Sequence, residues 1–188
     1  MAELLRTERL LLRDWTDRDA EAALTIYPHT ELSRWLGDDV RGSDAGSHVE
    51  AMRMVLRDWA AAQRTMTAGH GRWAIALLDD DTPIGAITLL PMPVPEADVE
   101  IGYRLAPGYQ RKGYATEAGR ALAGWAFRHS LVEVFALVAP ENASAAATAR
   151  RIGMEWVGES DKYHGSHLEV YRLRPDDLAH VVSSASPA

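Results

Sequence analysis

The stretch with the most evident chemistry is Leu105-Ala106-Pro107-Gly108-Tyr109-Gln110-Arg111-Lys112-Gly113-Tyr114-Ala115-Thr116-Glu117. An apolar strand ends, a turn with two glycines and two cations follows, and a helix begins. The first N–H groups of a helix have no carbonyl partner and carry a partial positive charge, so such a junction attracts anions. Gly113 would let a phosphate approach the main chain closely, Ala115 keeps the helix start uncrowded, and Arg111 and Lys112 add charge at the mouth. Gly108 and Gly113 have the spacing of the glycines in a Walker A loop. However, Tyr114-Ala115 stand where Lys-Ser/Thr must follow, so the γ-phosphate lysine and the magnesium hydroxyl are missing. No Gly-x-Gly-x-x-Gly dinucleotide turn is present. The phosphate ligand that remains is a diphosphate held by main chain without a metal. The plainer alternative is a loop that only joins a strand to a helix.

The elements around this turn follow from hydrophobic period. Asp98 to Leu105 alternates strictly, with Val99, Ile101, Tyr103 and Leu105 on one face and Glu100, Gly102 and Arg104 on the other. A helix from Thr116 to about His129 turns Ala118, Ala121, Leu122, Trp125 and Ala126 inward. Leu131 to Val138 is almost wholly apolar, as for a strand covered on both faces. Strand, helix, strand is a βαβ unit, so the two strands should run parallel. Asn142 then opens a short alanine-rich helix that Gly153 closes. Upstream, residues 7–13 read as an opening strand, and Thr16 with Asp19 starts a helix carrying Ala20, Ala23, Leu24 and Tyr27. Ser47 and Glu50 suggest a capping box for a helix over 47–63, its stripe formed by Val49, Met52, Leu56, Trp59 and Ala60. Residues 73–78 and 84–90 form a hairpin, and 154–158 and 168–173 give two last strands. The loop at 28–46 is long for a connection. One domain is expected over 1–182, with a disordered tail at 183–188.

Composition narrows the classes. The chain has 188 residues, 47% hydrophobic and 25% charged, with a net charge of −7. That balance suits a globular domain and argues against a nucleic-acid partner, which needs a positive field. It mildly favours a cationic acceptor, although acidity also simply aids solubility. There are no cysteines, which removes thiolate metal sites and a cysteine nucleophile, and the seven histidines form no His-x-x-x-His pair, so no metal is expected. With neither a signal peptide nor a membrane-length apolar run, a cytoplasmic location is the expectation.

Gln110-Arg111-Lys112-Gly113-Tyr114-Ala115 resembles the Gln/Arg-x-x-Gly-x-Gly/Ala signature of the GNAT superfamily of acyl-CoA-dependent acyltransferases. Thr7-Glu8-Arg9-Leu10-Leu11-Leu12-Arg13, Val99-Glu100-Ile101-Gly102-Tyr103, Pro140-Glu141-Asn142 and Ile152-Gly153-Met154 occur in order around it. Together they resemble the subfamily of ribosomal-protein N-terminal alanine acetyltransferases, over about residues 4–174. The resemblance implies an α+β fold: a central twisted mixed sheet of about seven strands, helices on both faces, and a splayed strand pair, here 98–105 and 131–138, that admits acetyl-CoA. It implies that main chain at Tyr103, Arg104 and Leu105 pairs with the pantetheine amides, that N–H groups of 110–115 hold the pyrophosphate, and that Asn142 faces the pantetheine.

The implied reaction transfers acetyl to a primary amine, either a peptide or protein N-terminus or a small molecule. A primary amine, with a pKa of roughly 8–10, is mostly charged at neutral pH, so a base is needed, and Glu100 on the bordering strand is the candidate. Glu100 could equally be a solvated strand residue or a partner for Arg104. Relatives commonly carry a serine three residues after the asparagine and others a tyrosine seven after it; Ala145 and Ala149 stand there. The acid for the thiolate is then Ser144, Tyr163 or solvent. Trp35, Met92 and His164, with Tyr163, are candidate acceptor-pocket residues, though His164 also reads as an exposed turn residue. Homodimers are common in such folds, but nothing in the sequence marks an interface. The competing reading is a catalytically idle acyl-CoA-binding sensor or scaffold.

Overall fold

The computed structural model describes residues 5–27, 32, 45–67, 69–92, 98–163 and 165–184, with backbone alone at 45–47 and 181–184. In chain order the elements are β1 (Leu5–Arg6), β2 (Leu10–Asp14), α1 (Ala20–Ile26), α2 (Ala45–Gln63), β3 (Gly71–Leu77), β4 (Pro83–Pro91), β5 (Val99–Leu105), α3 (Tyr114–Arg128), β6 (Val134–Val138), α4 (Ala143–Ile152), β7 (Glu155–Ser160), β8 (Leu168–Leu173) and α5 (Pro175–Ser184). The strands form one eight-stranded mixed sheet in the order β1-β2-β3-β4-β5-β6-β8-β7. By packing, the chain divides into two compact units, residues 1–67, 72–87 and 103–114 in the first and 68–71, 88–102 and 115–188 in the second.

The first unit is organised by a core of Trp15, Ala20, Ala23, Ile26, Tyr27, Leu32, Met52 and Leu56 packed on Ala74, Ala86 and Ala106. The alanines on the strands leave room for the large side chains of α1 and α2. The α1 stripe read from sequence is in this core, with Leu24 at its margin; of the α2 stripe, Met52 and Leu56 are in it and Val49 and Trp59 at its margin, while Ala60 is half-buried and outside it. Asp19 starts α1: its carboxylate accepts from the Thr16 N–H at 2.8 Å and the Thr16 hydroxyl at 2.9 Å. Arg13 clamps the same carboxylate through two bonds of 2.8 and 2.9 Å.

Two expectations are corrected in this unit. The opening strand read over 7–13 begins only at Leu10, as β2, because Thr7–Arg9 form the turn from β1: the Thr7 N–H donates to the Leu10 carbonyl at 2.9 Å. With β1 the described sheet has eight strands, in keeping with the expected number of about seven. Helix α2 begins at Ala45, so Ser47 lies inside it and is not its cap, and Glu50 pairs instead with Arg53 at 3.0 Å.

In the second unit, β5 and β6 are parallel, as the βαβ reading requires, and their register is Glu100↔Phe135. β6 continues antiparallel against β8 from Val134↔Leu173 to Val138↔Glu169. β6 alternates buried and half-buried residues, so the expectation of cover on both faces is too strong. Helices α3 and α4 approach closely because Gly119 has no side chain; a Cβ there would collide with Ile152. Asn142 caps α4 by accepting from the Ala145 N–H at 3.0 Å, and Gly153 ends it at φ 117°. The expected tail is shortened, since residues 183 and 184 complete α5.

Candidate acetyl-donor site

The first unit contains the turn. After β5, residues Pro107–Tyr109 make one 3-10 turn, and α3 starts at Tyr114. Gln110 secures this entry: its N–H reaches the Pro107 carbonyl at 3.4 Å and its side-chain amide donates to the Leu105 carbonyl at 3.1 Å. The turn then passes through the left-handed region twice, at Arg111 (φ 62°) and Gly113 (φ 84°). Gly108 is outside that region, so only one of the two glycines is there for its conformation. Arg111, Lys112 and Gly113 are exposed. Among the described residues, their N–H groups donate no hydrogen bond. They lead directly into the N-terminal end of α3, and such a run of unbonded donors suits an anion. The Lys112 ammonium rests 5.4 Å over the Tyr109 ring, which holds it without neutralising it.

Tyr103, Arg104 and Leu105 end β5 in this unit. The Arg104 guanidinium lies 5.2 Å over the Tyr27 ring, which meets Trp59 edge-on at 5.6 Å. Gly85 on β4 runs against the Arg104 carbonyl, where any side chain would collide. Arg9, not singled out from sequence, reaches this turn from 103 residues away: its Nη1 donates to the Lys112 carbonyl at 3.1 Å. Its only signal was membership in the Thr7–Arg13 motif.

The second unit places the remaining candidates by register. Glu100 is half-buried on β5, opposite Phe135. Val138 ends β6 opposite Glu169, so the connection from β7 to β8 and the start of α4 share one end of this part of the sheet. Asn142, Ser144 and Tyr163 therefore belong to that end. Glu100 is three residues further down, about 10 Å at strand rise. Ser144 is exposed on the first turn of α4, where its carbonyl accepts from the Thr148 hydroxyl at 2.9 Å. Ala149, at the tyrosine position of some relatives, is fully buried. Met92 is buried and donates its N–H to the Asp98 carbonyl at 2.9 Å. Trp35 and His164 lie outside the described residues.

His167, not singled out from sequence, bonds Asp161 at 2.8 Å and Glu159 at 3.1 Å. The Asp161 hydrogen bond raises its pKa above the usual histidine value. Tyr171 bridges Arg150 and Glu169 at 2.9 and 2.7 Å. No group of His, Asp or Glu suited to a metal occurs among the described residues. No helix among them is long and apolar enough to cross a membrane.

A strand, a turn with unbonded main-chain donors and a helix, set in a mixed sheet, suit a coenzyme A-dependent acetyltransferase. The comparison with known proteins agrees: residues 9–155 match the acetyltransferase (GNAT) domain, and the chain belongs to that family, whose donor is acetyl-CoA. It is 27% identical to the uncharacterized N-acetyltransferase YoaA of Bacillus subtilis (strain 168) over 164 residues, 87% of this chain and 89% of the relative. The fold matches an acetyltransferase from Agrobacterium tumefaciens C58 with TM-score 0.63 at 30% identity, over 93% of this chain and 95% of that one. RimJ of Mycobacterium smegmatis, solved in complex with CoA-disulfide, matches with TM-score 0.68 at 21% identity, over 97% of this chain and 93% of that one.

Proposed function

We propose that the protein acetylates a primary amine, with the α-amine of a peptide or protein as the leading acceptor class. The observation that carries the donor half is the exposed turn at 111–113, whose N–H groups have no acceptor among the described residues and which opens directly into α3. The N–H groups of Arg111 to Ala115 receive the diphosphate, and main chain at Tyr103 to Leu105 receives the pantetheine. Gln110 works as the clip that shapes the turn. In the second unit, Asn142 serves both as helix cap and as a pantetheine neighbour. A single catalytic domain over residues 1–182 is part of this reading.

Acetyl-CoA supplies the activated acetyl group. Glu100 Oε accepts the proton of the incoming ammonium, directly or through water, so that the neutral amine attacks. Ser144 Oγ or the Tyr163 hydroxyl returns a proton to the departing sulfur. Met92, buried on the second unit, shapes the acceptor side through its packing, and we include Trp35 and His164 there on family resemblance alone. The sequence resemblance to the ribosomal-protein N-terminal acetyltransferases favours protein N-termini over small amines, and the net charge of −7 suits a cationic acceptor.

The test is release of free thiol from acetyl-CoA against a panel of small amines and short peptides, including peptides starting with Ser or Ala. Acceptor-dependent release with a peptide preference supports the reading. Release with small amines alone removes the N-terminal acceptor, and tight coenzyme binding without any release removes the catalytic assignment.

A further inference from the structure

The turn at 110–115 is held from outside by Arg9, which follows β1. The turn between β1 and β2 fixes Arg9 before its side chain is considered. The Thr7 N–H donates to the Leu10 carbonyl and the Arg9 carbonyl accepts from the Leu78 N–H, both at 2.9 Å. The Leu10 N–H returns to the Thr7 hydroxyl at 2.9 Å. From this base the guanidinium crosses to the turn. Nη1 donates to the Lys112 carbonyl at 3.1 Å, and the group lies 4.6 Å over the Tyr114 ring. Nη2 comes within 3.4 Å of the place a Cβ would take on Gly113.

The peptide joining Lys112 to Gly113 is trans and planar, so its oxygen and its N–H point to opposite sides. A carbonyl drawn toward Arg9 turns the Gly113 N–H away from Arg9. That N–H has no acceptor among the described residues. The turn also needs support, because Arg111 occupies the left-handed region without being glycine, at φ 62°. A charge-assisted hydrogen bond on the adjacent carbonyl is of the strength that can offset such strain.

We infer that Arg9 is a positioning residue of the coenzyme site: it pins the Lys112 carbonyl and seats Tyr114 so that the Gly113 N–H is aimed at the diphosphate. It acts from behind the turn and does not itself touch the phosphates. The inference rests on the reading of 111–115 as the diphosphate site, and it makes the β1–β2 turn part of donor recognition.

The experiment compares binding of coenzyme A and of pantetheine, which lacks the diphosphate, by calorimetry, together with KM for acetyl-CoA and for the acceptor. For Arg9→Ala, the dissociation constant for coenzyme A and the KM for acetyl-CoA rise about tenfold, the scale of one lost charge-assisted hydrogen bond. Pantetheine affinity and the acceptor KM hold. Arg9→Lys, which keeps a donor of similar reach, recovers to within about threefold. Tyr114→Leu leaves the β1–β2 turn intact and loses several-fold on coenzyme A alone, which tests the same clamp if Arg9→Ala folds poorly. Coenzyme A binding within twofold of native in Arg9→Ala overturns the inference while leaving the diphosphate reading standing, and so do equal losses for coenzyme A and pantetheine. A native protein that binds pantetheine as tightly as coenzyme A overturns the diphosphate reading itself, and the inference with it.

Discussion

Gly113→Ala isolates the conformation of the coenzyme turn from everything else about it. Gly113 stands at φ 84°, while a Cβ there would meet only Arg9 Nη2 at 3.4 Å, an ordinary contact. The added methyl therefore costs nothing in space, and the penalty is that of a left-handed alanine, roughly 1–2 kcal/mol. If the rest of the fold forces the turn, the cost falls on stability. If the turn relaxes in the free protein and is rebuilt on binding, it appears as a roughly 5- to 30-fold weaker coenzyme A affinity. The two contributions should sum to the same total. Gly108→Ala is the internal control: it is not left-handed and a Cβ there meets nothing within 4 Å. Its effect should stay within about 0.5 kcal/mol on either axis. Chemical denaturation and calorimetric titration with coenzyme A, run on both variants, read the two axes. A Gly113→Ala protein with native stability and native affinity refutes the reasoning, and so does a Gly108→Ala protein that loses as much.

Glu100→Gln should lower turnover by about 10²- to 10⁴-fold, the usual contribution of a general base, with the deficit largest below the pKa of the acceptor amine and coenzyme A affinity unchanged. Unaltered turnover would take Glu100 out of the mechanism. Asp19→Asn should destabilise the protein by about 2 kcal/mol at neutral pH, through the lost charge on the hydrogen bonds to Arg13 and Thr16. Burial pushes the Asp19 carboxyl up, but the Arg13 and Thr16 hydrogen bonds outweigh it and hold the pKa below its usual value. The native protein should therefore hold this contribution above the ordinary aspartate pKa and lose it as pH falls through the lowered one; denaturation midpoints against pH should show that loss in the native protein and not in the variant. Asn142→Ala should cost about 1 kcal/mol by removing the α4 cap, and a simultaneous rise in KM for acetyl-CoA would separate its coenzyme role from its capping role.

The sequence was most legible where local chemistry and tertiary need coincide. The β5–α3–β6 unit, the Asn142 cap and the Gly153 stop each have a short-range cause and each occurs, although β6 begins at Val134 and is less covered than read. Helix α5 was equally legible and went unread: Pro175 at its first position and Asp177, which accepts from the Arg174 N–H at 2.9 Å, are ordinary start signals. β1 was beyond reach because two residues have no period to detect; its pairing with Leu11 and Leu12 defines it. Ser47 misled because a capping pattern inside a helix looks the same as one at its start. At the site, Gln110 read as a phosphate contact, and its side chain proved to hold the turn against β5. Arg9 could not be assigned from sequence, since its partner is a main-chain carbonyl with no residue-specific signal.

The central claim, acetyl transfer to an amine from a donor held at 111–115, meets its most direct test in acceptor-dependent thiol release measured on the native protein and Gly113→Ala side by side. The account predicts acetylated amine in equal amount to released thiol, with a raised KM for acetyl-CoA or a lowered stability in the variant. Tight binding of acetyl-CoA with no acceptor-dependent thiol from any amine or peptide would contradict it.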